Sequence, residues 1–276
     1  MPEALFRPWQ FAPATSAKRG ALFEYVLEAE FAVFSSVSDV ERRPWGALLV
    51  APDYPAVHDA NLAWVDEVPG SGISQVLLEL DGAMRAQGIS FRRLEFSDPK
   101  AARGVQKELA GLGFRMGRAL AHVRVQHRAP ARNPDLEVRE VDTSDEWAIV
   151  DTILGEIHAE EGLTPEVSQA LVERYHDRAP VLGERAYLGL LGGEGAGLVT
   201  LVPREKLGLL ERVGTRKPFR RQGVARTLVE EASNRSQAIG LPHCGVITTW
   251  DNKAAKALYA SLGFRTVGEI RSFHKG

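Results

Sequence analysis

The chain has 276 residues, long for one compact domain and comfortable for two of roughly 100–150 residues each. Apolar residues make up 44% and charged residues 25%, the mix of an ordinary soluble globular protein in which each half can bury a core. The formal net charge of −2 makes any basic cluster a local feature and speaks against general nucleic-acid binding, which usually needs a broad positive face; the single cysteine, Cys244, excludes an intrachain disulfide.

Taken in chain order, the start "MPEALFRPWQ" has no apolar signal core. No later stretch approaches about 18 uninterrupted apolar residues, so a cytoplasmic protein without a membrane partner is expected. Residues 44–65, "PWGALLVAPDYPAVHDANLAWV", are dense in aromatic and polar side chains. His58, Asp59 and Asn61 there have poor spacing for a metal and suit a turn closed by polar groups; no metal site is expected. The loop "VPGSGISQVLLEL" leads into a long helix. Residues 83–115 then read as helix, glycine, strand, polar turn, helix and "LGFR". The strand-like "AHVRV" precedes "HRAPARNP", residues 127–134, whose prolines and arginines predict a linker.

After the linker the elements are regular. "LEVREV" alternates as a strand. Asp142, Thr143 and Ser144 offer caps for a helix in which Trp147, Val150, Ile153, Leu154 and Ile157 fall at helical spacing. Gly162 stops it, and Thr164 with Pro165 starts another. A meander follows, "AYLGLL", "GLVTLVP" and "LGLLERVGT". Next come a helix with Leu228, Ala232 and Ile239 on one face, the buried strand "CGVITT" carrying an inert Cys244, the short helix "NKAAKALYASLG", and a last strand from Phe264. The order is β-α-α-β-β-β-α-β-α-β. Residues 232–265 repeat the layout of 83–115: Gly88 matches Gly240 and Leu112–Arg115 matches Leu262–Arg265, at separations differing by only two residues. A nearly constant offset predicts a duplicated unit, 1–126 and 135–276 about the linker.

Between the meander and its helix lies "TRKPFRRQGVARTLVEEA", with five basic side chains around one glycine. A helix N-terminus leaves main-chain N–H groups unpaired and partly positive. Gly223 lets a phosphate approach the main chain, and Arg220 and Arg221 add fork-shaped donors. Neither GxxxxGK[ST] nor GxGxxG is present here, and the lysine–hydroxyl pair that would hold a γ-phosphate and its magnesium is missing. The chemistry suits a diphosphate that needs no metal.

"VGTRKPFRRQGVA", residues 213–225, resembles the signature of the Gcn5-related N-acetyltransferases, in which R/Q-x-x-G-x-G/A holds the coenzyme A pyrophosphate. "NKAAKALYASLGF", residues 252–264, is similar to that family's closing motif. The resemblance implies an α/β fold of two tandem domains, each a mixed, mostly antiparallel twisted sheet flanked by helices. It implies acetyl-CoA as co-substrate and no metal. Val213, Gly214 and Thr215 would meet the pantetheine and acetyl groups, and Arg220, Arg221, Gln222, Gly223, Val224 and Ala225 the pyrophosphate. Asn252 would reach the pantetheine arm, and Tyr259 would be the general acid for the departing thiolate. Ala225 stands where many members carry glycine. Arg216, Lys217 and Arg226 lie outside the motif and face the adenosine 3′-phosphate or solvent.

Glu211 shares strand parity with Val213 and Thr215, which predicts that it points into the cleft. By resemblance it is the candidate general base, the alternative being a carboxylate paired with Arg212 or Arg216. His158, Glu160 and Glu161 end the first helix, where the family places part of the acceptor site. The first half lacks this chemistry: Leu109 stands at the Tyr259 position and Ala102 at the Asn252 position, so a degenerate copy that walls the acceptor cleft is expected. The expected activity is acetyl transfer to a primary amine, of a small molecule by analogy, in a monomer or homodimer. A non-catalytic acyl-CoA sensor or scaffold is the alternative.

Overall fold

The computed structural model describes residues 20–125 and 132–276, so the anticipated linker falls mostly outside the described residues. Before the gap come α1 (Ala21–Ser35), β1 (Asp39–Arg43), β2 (Gly46–Val50), a 3-10 turn (His58–Ala60), β3 (Leu62–Val65), α2 (Ile73–Ala86), β4 (Arg92–Phe96), α3 (Pro99–Gly111) and β5 (Arg115–Arg124). After it come β6 (Leu136–Glu140), α4 (Ser144–Glu160), α5 (Pro165–Leu182), β7 (Arg185–Leu191), β8 (Glu194–Pro203), β9 (Leu207–Thr215), a 3-10 turn (Lys217–Phe219), α6 (Val224–Ala238), β10 (His243–Thr249), α7 (Lys253–Ser261) and β11 (Phe264–Lys275). The second half has the predicted order. Its starts are chemical. Thr143 and Glu146 form a capping box on α4, and Thr164 caps α5 with Pro165 at the first position.

The eleven strands of the described residues form one mixed sheet in the order β1-β2-β3-β4-β11-β5-β10-β9-β8-β7-β6. The two sheets expected of tandem units are thus interleaved at the centre. β11 from the second half lies between β4 and β5 of the first, and β5 lies between β11 and β10 of the second. The parallel pairs are β3·β4 and β9·β10, each joined through a helix, α2 or α6. The other neighbours are antiparallel.

Helices cover both faces. On one, α2 and α3 bury Ile73, Val76, Leu80, Val105 and Leu109 against the first half, and α6 and α7 bury Leu228, Val229, Ala232 and Tyr259 against the second. On the other, α4 and α5 pack Ile153, Leu154 and Tyr175 over β7 and β8. Helix α1, for which the sequence predicts no element, lies across the centre of that face. Its Phe23, Val26, Leu27 and Phe31 meet Leu62 and Trp64 of the first half and Leu207, Leu209 and Ile270 of the second. No helix among the described residues is long and apolar enough to cross a membrane.

Gly268 sits at an irregularity of the β11·β5 ladder under α1, where an added Cβ would overlap the Phe23 ring. Gly268→Ala should therefore cost about 1–3 kcal/mol of stability through overpacking. Urea denaturation measures this, and an unchanged midpoint would show that Phe23 is not held there.

Candidate active site

β9 and β10 pair in parallel from His243 opposite Leu207 to Val246 opposite Leu210, and then part. β10 stays bound to β5 as far as Thr249, while β9 stays bound to β8 through Thr215 opposite Gly197. The edge of β9 from Glu211 to Thr215 consequently faces a gap in the sheet. The Thr215 hydroxyl is buried there without a hydrogen-bond partner.

The basic loop leads from this gap to α6. Arg221 (φ 65°) and Gly223 (φ 78°) both take left-handed backbone, and no side chain caps the N-terminus of α6. Gly223 carries the conformation without the penalty a Cβ would bring. Val224 is buried in the core under α6, Ala225 is half-buried, and Arg221 and Gln222 are exposed. Arg220 is held by an ion pair to Glu160, and the Gln222 amide donates to Pro218 O at 3.0 Å. Arg221 makes no ion pair among the described residues, whereas Arg216 is fixed by two contacts of 2.8 Å to Glu156 and one to Gly195 O. An uncapped helix start beside an orphaned hydroxyl fits a diphosphate and an amide-bearing arm.

At the other border of the gap, Asn252 caps α7 by accepting from Ala255 N at 3.0 Å. This fixes the helix that carries Tyr259. The Tyr259 ring is 4% exposed, with His122 at 5.9 Å and Phe264 at 5.8 Å between centroids. No described residue hydrogen-bonds its hydroxyl, and burial pushes the phenol up to about 12. It keeps its proton at neutral pH.

Residues 152–264, which contain the basic loop, Asn252 and Tyr259, match the family model described as Acetyltransferase (GNAT) family. This stretch is a GNAT domain. No curated protein matches the chain. Solved structures do. A GCN5-related N-acetyltransferase from Kribbella flavida is 14% identical with a TM-score of 0.68, the alignment covering 94% of this chain and 96% of that one. A functionally unknown conserved protein from Staphylococcus epidermidis is 12% identical with a TM-score of 0.66, over 86% and 94%. A tandem GNAT protein from the clavulanic acid biosynthesis pathway is 14% identical with a TM-score of 0.55, over 90% and 87%. At such identities the likeness is one of fold.

The GNAT domain shares a second feature with the first half, a cavity of about 280 Å³ on the α1/α4/α5 face. Val33, Phe34 and Asp59 wall it from the first half; His158, Glu161, Arg174, Arg178, Glu211 and Arg212 line it from the second. Glu211 reaches it by a route that corrects the strand-parity expectation. A bulge, with Arg212 at φ 48°, interrupts the β8·β9 register. Val213 therefore packs toward α6 with Leu210, while Glu211 faces the opposite side. Burial alone would raise the Glu211 carboxyl, but Arg178 at 2.7 Å and Arg212 at 3.4 Å outweigh it and hold the group below its ordinary value. Both arginines also bind Glu184, which accepts from Thr200 at 2.6 Å. Arg212 further stacks on Tyr175 at 4.2 Å.

His158 bonds the Ser168 hydroxyl through Nδ1 at 2.9 Å, and burial together with Arg212 keeps the imidazole below its usual value. Glu161 lines the cavity with its carboxyl raised by burial and by Glu160. The sequence gives no hint of Arg174, Arg178 or Glu184, because on a helix surface or at a strand entry such residues look solvated.

Elsewhere, Leu109 and Ala102 are buried in the first-half core. Asn61 closes its turn by accepting from Ala51 N and donating to Tyr54 O and Val57 O. Cys244 is buried, and its thiol is pushed up to about 11 by burial. Among the described residues no group of three metal-ligating side chains converges.

Proposed function

We propose that the chain transfers an acetyl group from acetyl-CoA to the primary amine of a small molecule. The observation that carries this reading is the gap between β9 and β10, bordered by the uncapped start of α6 on one side and, on the other, by the end of β10, which leads through Asn252 into the helix of Tyr259. The loop Arg220–Ala225 binds the pyrophosphate, the edge of Val213, Gly214 and Thr215 orients the arm, and the exposed Asn252 amide has a donor left for it. Acetyl-CoA supplies the thioester, and coenzyme A leaves as the free thiol. Tyr259 Oη holds the proton for the departing sulfur, since burial keeps the phenol neutral until an anion forms beside it.

Glu211 and His158 divide the work on the amine. The Glu211 carboxylate is ionised and its basicity is held down by two guanidinium groups, so it attracts and orients an ammonium group. His158 is uncharged at neutral pH and accepts the proton at its second ring nitrogen. The first half serves as a degenerate copy that walls the acceptor cavity and completes the sheet.

The test is coenzyme A thiol release with a panel of amines. Binding of acetyl-CoA without release above hydrolysis, for every amine, would leave a sensor or scaffold instead. The pH profile of kcat/KM tests the base. Because the His158 value lies below its ordinary 6.5, the acid limb should fall only below about pH 6.5 and disappear in His158→Asn. A limb that stays in the variant would belong to another group, with Glu211 the next candidate.

A further inference from the structure

Among the charged groups of the cavity, Arg174 stands apart. It is 2% exposed, yet it makes no ion pair with any described carboxylate. Arg178 and Arg212, one turn along α5 and across on β9, are both neutralised by Glu184 and Glu211. Arg174 has only main-chain partners, with Nη2 donating to Val33 O at 2.9 Å and Phe34 O at 3.4 Å at the end of α1. Its Nε is buried with no partner at all.

Capping α1 does not account for this arrangement. A helix C-terminus is served equally well by a lysine or arginine at the surface, whereas here the side chain is buried on the wall of a cavity with its Nε unpartnered. Burial lowers its pKa to about 10; Asp59 offsets part of this, while Arg178 and Arg212 add to it. Asp59, which sits on the same cavity, is already claimed by an ion pair to Arg93. A buried cation without an anion in contact is costly, and a carboxylate fitted to its fork would relieve it.

We propose that the acceptor is an amine that also carries a carboxylate, an amino-acid-like zwitterion, with its carboxylate bound by Arg174 and its amine held toward Glu211. This rests on the acetyl-transfer reading and names its substrate class. The size agrees, since about 280 Å³ holds a small metabolite rather than a peptide. The charge agrees as well. Arg174, Arg178 and Arg212 balance Asp59, Glu161 and Glu211 around the cavity, which is unlike the acidic lining a polycationic amine would require.

The first measurement needs no variant and no turnover. Wild-type protein saturated with coenzyme A is titrated with N-acetylglycine and N-acetyl-β-alanine, and in parallel with N-methylacetamide and N-ethylacetamide, which lack the carboxylate. The carboxylated members should raise the melting temperature and the others should not; equal responses, or none, overturn the proposal. If the protein shows no response to coenzyme A itself, the acetyl-transfer reading fails instead, so the two failures are distinct. The second measurement is thiol release with amino acids against their decarboxylated amines and spermidine. Amino acids should be the better acceptors. Arg174→Gln should raise their KM at least about tenfold with kcat little changed, and Arg174→Lys should recover part of the loss. Preference for spermidine or for the decarboxylated amines, or a KM unmoved in a folded Arg174→Gln, overturns the assignment.

Discussion

Tyr259→Phe should lower kcat by about 10²–10⁴-fold while the protein still binds acetyl-CoA as wild type does, because the change removes the hydroxyl that carries the proton and leaves the packed ring in place. The environment makes this substitution a clean probe. The ring is buried against His122 and Phe264, and no described residue hydrogen-bonds the hydroxyl, so a phenylalanine leaves no partner stranded. Stability should be unchanged within about 1 kcal/mol. Single-turnover thiol release with a saturating acceptor separates chemistry from product release. Turnover equal to wild type would remove Tyr259 from the mechanism. Loss of coenzyme binding would show instead that its hydroxyl shapes the pantetheine channel.

The second large effect concerns Gly223. Acetyl-CoA at a hundredfold excess over its dissociation constant stabilises the folded state by about 2.7 kcal/mol. For a chain of this size that raises Tm by roughly 5–10 °C. Gly223→Glu should abolish the shift, since it places a carboxylate where the pyrophosphate meets the α6 N–H groups and strains a left-handed backbone. Gly223→Ala carries the same strain without the charge, and its Cβ meets Asn133 only at ordinary contact distance, 3.6 Å. It should lower the unliganded Tm yet keep a reduced response. A full shift in the glutamate variant would move the pyrophosphate away from this loop.

What could be read in the sequence was what is local. The caps at Thr143 and Thr164, the glycine at the start of α6 and the placing of Asn252 seven residues before Tyr259 each act within a few residues, so their type and spacing suffice. Helix α1 escaped because its apolar residues run nearly all the way round and leave no stripe to detect, as befits a helix pressed between two halves of a core. The Arg212 bulge escaped because a strand read by alternation assumes an unbroken ladder. Arg174 and Asp59 escaped for a third reason. The cavity is assembled from α1, a 3-10 turn, α4, α5 and β9, and only tertiary contact tells a buried arginine from a solvated one.

The exchange of strands at the centre of the sheet bears on how the protein comes into being. β4 and β5 are made early, yet each borders β11, the last of the described strands to leave the ribosome. Until β11 arrives, the first half carries two open strand edges and an incomplete core, and pairings over so long a separation form slowly. The sheet is therefore completed only once β11 has emerged, in a step that also seats α1. In a cell this leaves a nascent protein with exposed edges, and chaperones that shield such edges have their natural opportunity there.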